Sequence, residues 1–180
     1  MTLTPGLRKF ALTAHVTSSV GWFGAVAGFL ALAVTGLLGD DAHRVQAAYF
    51  AMESLAWLVV VPLSLGSLVT GIIQALGTSW GLFRHYWVLI KLLMTVVATA
   101  VLLVHMQPIS SMSGVDAGTI LSSTDVREVR VQLVVDAGAA LLVLLVATTL
   151  SIYKPRGQTR YGQKRDEPHP MSPRKTIHSA

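Results

Sequence analysis

Four long apolar segments, each ended by charge, glycine or proline, constrain this chain more than any other feature. They run approximately over 10–38, 45–76, 86–106 and 131–153. Each is long enough to cross a bilayer core of roughly 30 Å, which takes about 20 helical residues. Lipid offers the backbone no hydrogen-bond partner, so spans of this length are expected to be helices. The sequence therefore predicts an all-α fold: an integral membrane four-helix bundle over residues 1–156. No catalytic nucleophile motif, phosphate loop or dinucleotide fingerprint occurs in it, so a soluble-type hydrolase or kinase has no support.

Composition agrees with that reading. Charged residues make up 13% of the chain and hydrophobic ones 52%, against about 25% charged in a soluble domain. The first apolar run exceeds the roughly 7–15 residues of a secretory signal core and is expected to stay as a helix. The absence of cysteine excludes disulfides, thiolate metal sites and covalently attached c-type haem. Residues 157–180 are polar, contain proline and are poor in apolar residues, which predicts a disordered basic tail.

The charge is unevenly placed. Arg8, Lys9, Arg84 and seven basic residues after Tyr153 fall on one side of the spans. Arg44, Arg127 and Arg130 fall on the other, with Asp40, Asp41, Asp116, Asp125 and Glu128. Basic short loops stay cytoplasmic, so both termini are expected inside the plasma (inner) membrane. The tail's expected partner is anionic lipid rather than nucleic acid. Pro62 predicts a kink in the second span. Pro5-Gly6 reads as a breaker, and Ser122–Thr124 as the start of a short helix in the outer loop.

Helical periodicity puts each span's polar residues on one face. His15, Ser19, Trp22 and Val26 share a stripe on the first span. Glu53, Trp57, Ser64 and Gly71 align on the second, with Gln74 near the edge. Trp87, Lys91, Met94, Ala98 and His105 align on the third, and Gln132, Asp136, Ala140, Val143 and Ala147 on the fourth. Buried charge costs a few kcal/mol in hydrocarbon, so these faces are expected to meet inside the bundle. Gly24 and Gly28 form a GxxxG pair on another face, a candidate close helix contact within the bundle or in a homodimer.

Depth sorts the polar residues into two layers, roughly 15–20 Å apart at about 1.5 Å per residue. His15 and Lys91 lie in the inner layer, near Gln74. Glu53, His105 and Asp136 form the outer cluster. His15 is a candidate axial ligand for haem iron, since a neutral imidazole ligates iron well and a bundle core suits a flat cofactor. Lys91 is then a candidate propionate partner and Met94 a candidate second ligand. The bland alternative has His15 hydrogen-bonded to neighbouring backbone, Lys91 snorkelling to the interface and Met94 packing. Glu53, His105 and Asp136 are a candidate proton relay or cation site, or a structural network that includes Arg130.

Two stretches resemble a known family. His15, with Trp22-Phe23-Gly24 after six intervening residues, resembles the first helix of the HemJ membrane haem proteins, which oxidise protoporphyrinogen. Trp87-Val88-Leu89-Ile90-Lys91-Leu92 resembles that family's W-x-x-x-K-L helix. CopD-type copper proteins share a similar early His–Trp helix. The resemblance implies a haem b ligand at His15 and a polar partner at Lys91. It departs from the family at His105, which follows the lysine by fourteen residues. Most of residues 8–157, including Gly77-Thr78-Ser79-Trp80-Gly81-Leu82-Phe83-Arg84-His85-Tyr86-Trp87, is also similar to an uncharacterised family of bacterial four-helix integral membrane proteins. The leading expectation is a haem-b-binding membrane protein with a redox or porphyrin-related role. The alternatives are a small cation- or copper-handling protein and a haem-free subunit of a larger membrane complex.

Overall fold

The computed structural model describes residues 4–77, 86–104, 114 and 124–153. Apart from short connections, the described residues are helical. Helix α1 spans Pro5–Leu38, α2 spans Ala42–Leu55, α3 spans Val61–Gly77, α4 spans Tyr86–Val104 and α5 spans Thr124–Tyr153. One π turn, Ala56–Val60, joins α2 to α3 without a break. Three helices are long and apolar enough to cross a membrane: Pro5–Leu38, the continuous Ala42–Gly77 and Asp125–Tyr153. Val88–Val104 is a shorter apolar helix. At about 1.5 Å per residue, α1 is roughly 50 Å long and exceeds a ~30 Å hydrocarbon core.

The outer surface of the described helices is largely apolar, as a lipid-facing bundle would need. Leu58 is 77% exposed, Leu93 64%, Leu142 66% and Ile152 71%. A water-facing monomer rarely shows apolar side chains in such continuous number; in lipid they cost nothing.

Local sequence explains the helix ends. Pro5 opens α1 at its first turn, where a missing N–H is harmless; it starts the helix rather than breaking it. Asp41 caps α2, its carboxylate accepting from the amides of His43 (2.9 Å) and Arg44 (3.1 Å). The helix expected to begin near Thr124 in the outer loop is continuous with the fourth span. No glycine or proline lies between Thr124 and Ala137, so nothing stops it. Arg130, counted in the loop by charge, is therefore inside a helix and buried.

The helices form a ring. Helix α1 packs against α2, α3 and α5, while α4 packs against α3 and α5. Helices α1 and α4 thus face each other across the bundle. One apolar cluster joins Phe29 and Ala33 to Val45, Tyr49, Met52 and Ala56, and to Val126, Leu133 and Ala137. A second joins Trp22, Ala25 and Val26 to Val60 and Leu144, with Ala98 and Leu102 of α4 against it.

Two of the expected faces are corrected. In the second span the buried line runs Val45, Ala48, Tyr49, Met52, Ala56, Val60, Ser64 and Ser67. Trp57, expected inside, is 50% exposed. Pro62 cannot donate to the Leu58 carbonyl, and just before it the Val61 amide reaches back five residues to Ala56. That π turn inserts one residue and rotates everything after it, so an ideal 3.6-residue period misplaces Trp57. In the fourth span the buried line is Val126, Arg130, Leu133, Ala137, Leu144 and Ala147. Gln132 is exposed and Asp136 half-buried, one step to the side of that line.

Candidate functional site

The inner layer is built on the antiparallel seam between α1 and α3. Ala11 of α1 lies opposite Gln74, whose Nε2 donates to the Ala11 carbonyl at 3.1 Å. One turn further on, His15 Nδ1 donates to the Ser67 carbonyl at 3.0 Å and lies 3.2 Å from Thr70 Oγ1. The Thr70 hydroxyl itself donates to the Gly66 carbonyl. Ser19 and Ser67 share a hydroxyl hydrogen bond of 2.7 Å. Short polar side chains of this kind satisfy each other between helices at close approach.

Gly71 makes room for the imidazole. A Cβ there would stand 3.2 Å from His15 Cε1, so any larger residue pushes the ring away from Ser67. A carbonyl oxygen can only accept, so the Nδ1 bond to Ser67 puts the proton of a neutral ring on Nδ1. Nε2 then carries the lone pair, and it makes no hydrogen bond to any described residue. An imidazole held by Nδ1 to a carbonyl, with Nε2 unbonded, has the tautomer and orientation of a metal-ligating histidine.

Across the bundle, Lys91 of α4 is half-buried. Its ammonium is within electrostatic reach of His15. Met94 is half-buried on the same helix, about one turn along. The structure thus brings together His15, Ser19 and Gln74 as direct participants in one seam, with Lys91 nearby. The Trp87 side chain lies outside the described set.

Part of the expected outer layer falls within the described residues. Glu53 and Asp136 are half-buried and each has an interaction partner. His105 lies outside the described residues. Among the described residues, no three His, Asp or Glu side chains gather closely enough to hold a metal ion. What organises this end is Arg130. Its Nε donates to the Gly36 carbonyl at 2.9 Å, and its Nη2 donates to the Leu37 carbonyl at 2.9 Å and also to Gly36. These are last-turn carbonyls of α1 with no intrahelical partner. A guanidinium from α5 caps α1, where the negative end of the helix dipole favours it.

Tyr49 is fully buried, with its hydroxyl beside Arg130. Gly36 is required there, since a Cβ would fall 2.7 Å from the Tyr49 hydroxyl. The signal for Arg130 was present in the sequence. It lies in phase with Val126, Leu133 and Ala137, once the helix is started at Thr124. Ser67 and Thr70 carried no signal by themselves, because their roles depend on the register of α1 against α3.

The Gly24–Gly28 pair makes no close contact with the described residues. A Cβ at Gly24 would meet nothing within 4 Å, and one at Gly28 would meet only Leu55, at 3.8 Å. No family model, curated protein or solved structure matches this chain.

Proposed function

We propose that this chain is a multi-pass protein of the bacterial plasma membrane that binds a b-type haem through His15, in a redox or porphyrin-related role. The observation that carries the reading is the His15–Ser67 bond, which leaves the Nε2 lone pair without a hydrogen bond among the described residues. The residues that would hold the group are His15 as axial ligand, Lys91 as polar partner and Met94 as a candidate second ligand. A bound haem would supply one-electron chemistry. The chain's part is to fix the imidazole tautomer through Ser67 and seat the ring against Gly71. The partial likeness to HemJ at His15, Trp22 and Lys91 points the same way.

A second reading rests on the tight α1–α3 seam. The Ser19–Ser67 and Gln74–Ala11 bonds make His15 one of three interhelical locks, in a haem-free subunit. The two readings separate in one experiment. The detergent-purified protein, supplemented with haem, is recorded oxidised and reduced beside His15→Ala and His15→Asn. The haem reading expects a Soret band and sharpened reduced bands, lost in both variants. The lock reading expects no band. It also expects His15→Ala to cost about 1 kcal/mol, in the range of interhelical hydrogen bonds, and His15→Asn to recover much of it, since its amide reaches Ser67.

A further inference from the structure

We infer that Lys91 marks a binding site for an acid headgroup, a carboxylate or phosphate monoanion, in the inner half of the bundle between α1, α3 and α4. The ammonium has no hydrogen bond or ion pair among the described residues. Every acidic residue among them stands toward the other end: Asp40, Asp41, Glu53, Asp125, Glu128 and Asp136. The described acidic residues therefore offer Lys91 no compensation. The titratable group that Lys91 acts on among the described residues is His15, a base and not an acid.

A cation that no described side chain compensates is costly at this depth, and one anion removes the cost. The surroundings suit such a group. The Thr95 and Thr99 hydroxyls of α4 are spent on carbonyls one turn back, Lys91 and Thr95 respectively. Ser19 and Ser67 share one hydroxyl hydrogen bond, which takes up one of their two donors. Among the described residues, Lys91 is the charged donor of this layer and makes no hydrogen bond. Ile90 and Leu93 beside it are 49% and 64% exposed, an apolar flank fit for a hydrocarbon tail. The ligand is an anionic amphiphile. A free fatty acid and the headgroup of an anionic phospholipid both present this chemistry.

The site overlaps the haem reading but does not need iron. The full-length protein, Lys91→Gln and Lys91→Arg are examined by native mass spectrometry from detergent. The probes are oleate against oleyl alcohol, and phosphatidylglycerol against phosphatidylcholine. The acid member of at least one pair should be retained roughly tenfold better by the wild type, the worth of one charge-assisted hydrogen bond. Lys91→Gln should abolish the preference and Lys91→Arg should keep it. Preference for oleate alone identifies a free carboxylate, and preference for phosphatidylglycerol identifies a lipid headgroup. Equal retention of acid and neutral probes by the wild type, or a preference that survives Lys91→Gln, overturns the inference. Acid preference with no haem band leaves it standing and removes the haem reading alone. A His15-dependent haem band without acid preference does the reverse.

Discussion

Arg130 is the residue that does most to join two helices. Its guanidinium holds the Gly36 and Leu37 carbonyls at the point where α1 ends and the chain turns into α2. Arg130→Met keeps an apolar stem of similar reach but removes the donors. Hydrogen bonds to a charged group contribute about 1.5–3 kcal/mol, and part of that is offset by ending the desolvation of a buried charge. The expected loss is about 2 kcal/mol of unfolding free energy in detergent, read as a lowered denaturation midpoint. Arg130→Lys should fall between, because one ammonium cannot span both carbonyls as the planar fork does. An unchanged midpoint in Arg130→Met would show that water replaces the cap at no cost. The sequence carried this residue as a loop charge, because charge counting stops at an assumed helix end and the buried phase of α5 starts before it.

At the scale of elements, the π turn decides how the second span meets the first. Ahead of it Tyr49 and Met52 face the core; beyond it Ser64 and Ser67 do. Leu58 lies in the turn and points outward, 77% exposed. Deleting Leu58 together with Pro62→Ala turns the π turn into ordinary helix and leaves the residues beyond it near their present phase. Deleting Leu65, also outward-facing at 42% exposed, rotates Ser67, Thr70, Gly71 and Gln74 by about 100° and removes the partners of His15, Ser19 and Ala11. The first variant should elute as a folded particle with a near-native melting midpoint, and the second should aggregate on extraction. Equal tolerance of the two deletions would mean that the seam does not set the register. The existence of a disturbance was legible from Pro62. Its form was not, because a proline signals a lost hydrogen bond without saying whether the helix kinks or takes in an extra residue. The stripe on α1, with His15, Ser19, Trp22 and Val26, was legible in full, since no such interruption shifts its phase.

For the whole molecule, the same lack of internal breaks explains why long helices could be read from hydropathy alone, while partners across the seam could not. Periodicity gives each helix its inward side; it does not give the offset between two helices, and that offset is what brings Ser67 rather than Gln74 to His15. Orientation in the membrane is a separate question, set by where the basic residues end. Arg8 and Lys9 sit in the first turn of α1, and the connection from α1 to α2 carries Asp40 and Asp41. Basic flanks are retained on the cytoplasmic side, so the start of α1 is expected inside and the α1–α2 turn outside. The chain contains no cysteine, so single introduced thiols report without a background. Asp40 is exposed and makes no capping bond, unlike Asp41, and Thr4 is exposed at the other end of α1. In intact cells, Asp40→Cys should react with a membrane-impermeant maleimide, and Thr4→Cys should react only after permeabilisation. The opposite pattern would invert the bundle and put Lys91 and His15 in the outer leaflet. The acid ligand inferred at Lys91 would then come from the other side of the membrane.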